Sequence, residues 1–120
     1  MNIGDKMLTF ERLREINVRR CETVFHKLND WTFTDWATAL AGETGEACNE
    51  IKKLRRLDGA DKLEDTKEKR QELIEKAVIE LADVVIYADL LAAAMGKSLA
   101  DAVIEKFNIV SKKRGFPNRI

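Results

Sequence analysis

Gly42-Glu43-Thr44-Gly45-Glu46-Ala47-Cys48-Asn49-Glu50, with its later echo Glu80-Leu81-Ala82-Asp83, decides how the chain is read. Each stretch holds two carboxylates three residues apart within a segment that reads as helix. Residues i and i+3 share a helix face, so each pair can reach a common point. At about 100° per residue, Glu43 and Glu46 stand about 60° apart with Glu50 between them, and Tyr87 falls between Glu80 and Asp83 in the same way. Four oxygen donors on two facing helices would form a site for a hard cation such as Mg²⁺. Packed together without a cation, the same groups would repel and raise each other's pKa. The cluster is therefore either spread and solvated, or gathered around metal.

Working outward, Thr32 and Asp35 form a capping signal that starts helix 2 near Phe33 or Thr34. Ala37, Leu40, Thr44, Ala47, Ile51 and Leu54 make its expected core stripe, about 20–120° from Glu43, with Glu46, Glu50 and Lys53 at about 280–340°. The acidic stripe thus borders the apolar one. Gly42 and Gly45 each lower helix stability by roughly 1 kcal/mol relative to Ala, which predicts close approach of another helix or a ligand. Leu57 to Arg70 is charged, with few apolar anchors, and reads as an exposed connector. Helix 3 is expected from about Gln71 to Met95, with Gly96 as its C-cap. Its main stripe is Ile74, Ala77, Leu81, Val84, Ala88, Leu91 and Met95. A second apolar group, Ile79, Ile86 and Leu90, predicts burial against a second subunit.

The flanks extend the helical pattern. Leu8 to Leu28 reads as helix 1, with Phe10, Leu13, Ile16, Cys21, Val24 and Leu28 inward. Arg12, Arg14, Arg19, Arg20 and Lys27 read as a solvated basic face. Asn29 to Thr32 reads as a loop. Ser98 and Asp101 open helix 4, whose inward residues are Leu99, Ala102, Val103, Phe107 and Val110. Lys112, Lys113 and Arg114 suit the negative helix end, and Gly115 and Pro117 stop it. The expectation is an all-α domain of four helices over residues 1–120.

Composition excludes several classes. Lys plus Arg and Asp plus Glu are 21 each, so the net charge is zero. A neutral chain offers no electrostatic argument for binding a nucleic acid polymer or a membrane. No apolar run approaches the roughly 18 residues of a membrane span. The first ten residues lack a basic start followed by an apolar core, so no signal peptide is expected. Cys21 and Cys48 fall on apolar stripes and read as reduced core thiols of a cytoplasmic protein. A single His argues against zinc. A di-iron carboxylate bundle needs Glu-x-x-His, yet Asn29 and Thr23 stand three residues either side of His26.

Ala41-Gly-Glu43-Thr-Gly-Glu46-Ala, then Glu80-Leu-Ala-Asp83-Val-Val-Ile-Tyr87, then Ala102-Val-Ile-Glu-Lys106-Phe-Asn108, resembles the MazG-like superfamily over roughly residues 31–115. These are all-α, oligomeric nucleoside triphosphate pyrophosphohydrolases, with dCTP pyrophosphatases close in motif. The resemblance implies a four-helix fold in a homodimer or homotetramer. It also implies Mg²⁺, or Mn²⁺ in its place, on Glu43, Glu46, Glu80 and Asp83, and hydrolysis of a nucleotide to its monophosphate and pyrophosphate. Lys106 matches the family lysine. Helix geometry adds Lys53 and Lys76 as cations for the leaving pyrophosphate, and Glu50 as a further ligand or base. Trp31, Trp36 and Tyr87 are candidates to stack on a base, although Trp36 reads slightly better as a core anchor. Asn108 and Arg114 are further candidates for substrate contact. Val110 stands where dCTP pyrophosphatases carry Asn, and the spacer after Ala47 is longer than usual, so the resemblance does not fix the base. The competing reading is a helical interaction protein without catalysis, its acidic stripe solvated and paired with Lys53 and Lys76.

Overall fold

The computed structural model describes residues 7–59 and 63–120. Among them are four α-helices and no strand: α1 (Phe10–Arg20), α2 (Phe33–Asp58), α3 (Leu63–Ala94) and α4 (Leu99–Arg114). No helix among the described residues is long and apolar enough to cross a membrane. The chain divides into two compact units. One is Trp31–Ala88, holding α2 and most of α3. The other joins the residues up to Asp30 with Asp89–Ile120, and holds α1, the end of α3, and α4.

Local chemistry sets the helix ends. Thr32 and Asp35 close a reciprocal capping box at the start of α2, Asp35 N–H to Thr32 Oγ1 at 3.1 Å and Thr32 N–H to Asp35 Oδ2 at 2.9 Å. Ser98 Oγ accepts from the Asp101 N–H at the start of α4. Gly96 and Gly115 both take positive φ. Each permits a return bond five residues back, Lys97 to Ala92 and Phe116 to Ser111, which satisfies carbonyls the helix end would leave open. α1 is shorter than expected. At Cys21–Phe25 it widens into a π-helical turn, and Leu28–Asp30 forms one 3₁₀ turn where a loop was expected. The connector expected over Leu57–Arg70 is largely helix, because α2 runs to Asp58 and α3 starts at Leu63; residues 60–62 of it lie outside the described residues.

In the Trp31–Ala88 unit, the inward face of α2 differs from the expected stripe. Apart from half-buried Ala39, the buried and half-buried positions are Trp36, Leu40, Glu43, Ala47, Glu50, Leu54 and Leu57, an alternation of four and three residues. Ala37, Thr44 and Ile51 point outward. On α3 the same holds for Leu73, Ala77, Glu80, Val84 and Tyr87, while Leu81 is exposed. Carboxylates therefore occupy seam positions that apolar side chains fill in an ordinary helix pair. A Cβ added at Gly42 or Gly45 would meet nothing within 4 Å, so no element among the described residues approaches either glycine closely.

The other unit is organised by a buried charge. Asp89 is 1% exposed. Arg14 Nε donates to its Oδ1 at 3.0 Å, and buried Asn17 Nδ2 donates to Oδ2 at 3.2 Å. Arg14 thus belongs to a half-buried ion pair rather than to a solvated basic face. Beside it, α1 packs against α4. Cys21 is buried and donates its S–H to the His26 carbonyl, whereas Cys48 is exposed, against the expectation of a core thiol.

Burial makes Asp89 expensive to lose, because Arg14 Nε and Asn17 Nδ2 would lose the carboxylate that accepts them. Asp89→Ala should lower the unfolding free energy by about 3 kcal/mol in urea titration. Arg70 and Asp58 form an ion pair of the same length with both side chains about half exposed. Arg70→Ala should therefore cost under about 0.5 kcal/mol in the same titration.

Candidate metal centre

The seam between α2 and α3 gathers the carboxylates that the sequence places there. Glu43, Glu46 and Glu80 each bring one oxygen within 4.8 Å of the other two, an arrangement that could hold a metal ion. Glu43 and Glu80 are half-buried and Glu46 is exposed. Asp83, half-buried on α3, is one turn along from Glu80 and close enough to act electrostatically on both Glu43 and Glu80.

The electrostatics are those of crowding. Burial pushes the Glu43 carboxyl above the ordinary glutamate value, and the charges of Glu46, Asp83 and Glu80 push it further. Glu80 is raised in the same way, first by desolvation and then by Glu46, Asp83 and Glu50. One oxygen of Glu80 and one of Glu50 are buried with no hydrogen-bond partner. Buried carboxylate oxygens normally find donors, so these two mark a place where the protein alone does not satisfy its own charge.

The remaining candidates separate into those near this cluster and those elsewhere. Glu50 Oε1 accepts from Lys53 Nζ at 2.8 Å, so Lys53 is tied to a neighbouring carboxylate. Lys76 lines a cavity of about 500 Å³ with Glu50, Glu72, Glu75, Ile79 and Glu80. Trp36 is 1% exposed and lies 4.6 Å from Trp31 and 6.4 Å from Tyr87 between ring centroids. It is a core anchor and offers no free face to a base. Trp31 and Tyr87 remain half-exposed on either side of it.

Lys106, Asn108 and Arg114 lie on α4, in the other unit. Asn108 is occupied: its Nδ2 donates to the Ile120 carbonyl at 3.0 Å and its Oδ1 accepts the Ile120 N–H at 3.1 Å. Asn108 thus clamps the main chain at Ile120. Sequence reasoning missed Asp89. Its only signal was one acid inside the run Ile86-Tyr-Ala-Asp-Leu-Leu-Ala-Ala-Ala94.

No protein-family model matches the chain, and no curated protein or solved structure matches it either.

Raised carboxyl pKa values carry a definite sign. A folded-state pKa above the unfolded one means the native state holds protons more tightly, so these groups favour folding in acid. That contribution is present below the ordinary glutamate value and is lost as pH rises through the raised folded value. Metal-free protein should accordingly lose stability from this cluster between acid and neutral pH. Glu80→Gln, which removes one repelling charge, should melt at the same or a higher temperature than the parent at neutral pH, with the difference vanishing in acid. Thermal melts in a chelator across that range check it; a mutant less stable at neutral pH would show that Glu80 is held by a favourable pairing instead.

Proposed function

We propose that the protein is a Mg²⁺-dependent nucleoside triphosphate pyrophosphohydrolase, converting a nucleotide and water to the nucleoside monophosphate and pyrophosphate. The observation that carries this reading is the convergence of Glu43, Glu46 and Glu80 on a helix seam, beside buried, unpaired oxygens of Glu50 and Glu80. A donor set made only of carboxylate oxygens suits a hard divalent cation and not zinc or copper. Glu43, Glu46, Glu80 and Asp83 are the residues that would hold Mg²⁺, with Mn²⁺ as a substitute. Bound there, the ion would offset phosphate charge and lower the pKa of a coordinated water.

The chain's own groups divide the remaining work. Lys53 fixes one oxygen of Glu50, which leaves the other to orient a water and accept its proton. Lys76, on the cavity wall, supplies positive charge towards a leaving pyrophosphate. Trp31 and Tyr87, braced by Trp36, offer ring surface to a base, and stacking of this kind does not select among bases. Phe33, Ile51, Val78, Leu81 and Val85 are large, apolar and exposed on α2 and α3. They support self-association through these two helices, as a dimer or tetramer.

Incubation with a panel of ribo- and deoxyribonucleoside triphosphates and Mg²⁺ should release pyrophosphate and monophosphate in equal amounts. Glu80→Gln should lower turnover at least about a hundredfold while still folding. Orthophosphate release, or none, would sink the proposal. The chain would then be read as a helical interaction protein, whose melting temperature Mg²⁺ plus nucleotide would leave unchanged.

A further inference from the structure

We draw no further inference here: the strongest candidate, the apolar groove of about 630 Å³ along α4 from Leu99 to Phe116 with Lys106 and Arg114 in its wall, is an exposed helix face, and nothing in the structure shows what covers it.

Discussion

Mutual repulsion among carboxylates on a helix seam is the constraint around which the Trp31–Ala88 unit is arranged. An antiparallel helix pair ordinarily fills such positions with leucine or isoleucine. Here Glu43 and Glu50 on α2, and Glu80 on α3, take the places apolar groups would hold. Their pKa directions register the strain, since both Glu43 and Glu80 are driven towards the neutral form. Cohesion must come from either side of the charged stretch. Trp36, packed between Trp31 and Tyr87, supplies it at one end, and the buried Ala47 and Ala77 add apolar burial along the two helices. Aromatic side chains bury the most area per residue, which suits a seam with few apolar positions left.

Much of this was legible in the sequence, and what was legible was local. The capping pairs Thr32 with Asp35 and Ser98 with Asp101, and the terminal glycines at 96 and 115, rest on interactions within five residues, and all of them hold. The existence of four helices follows from the same short-range chemistry. The carboxylate pairing also depends on local spacing, together with one assumption, that α2 and α3 face each other.

What failed was the assignment of faces. The apolar stripe of α2 pointed to Ile51 and Thr44 as inward, but the seam instead passes through Glu43 and Glu50. Hydrophobic patterning assumes that water is the only alternative to the core, and it misplaces a helix whose outer face is also apolar. The Arg14–Asp89 pair was out of reach for a different reason. Its partners are 75 residues apart, and neither has a neighbour in sequence that marks it. The same holds for Asn108, whose amide is engaged twelve residues downstream.

Gly42 immediately precedes Glu43 and Gly45 immediately precedes Glu46, and both glycines are exposed, with nothing among the described residues within 4 Å of an added Cβ. Glycine retains more backbone freedom than any other residue, and an uncovered helical turn opens for little free energy. The amide hydrogens of this turn should therefore exchange with solvent faster than those of α2 on either side. Glu43 and Glu46 can shift by small main-chain adjustments as the charge beside them changes, without disturbing the anchor at Trp36.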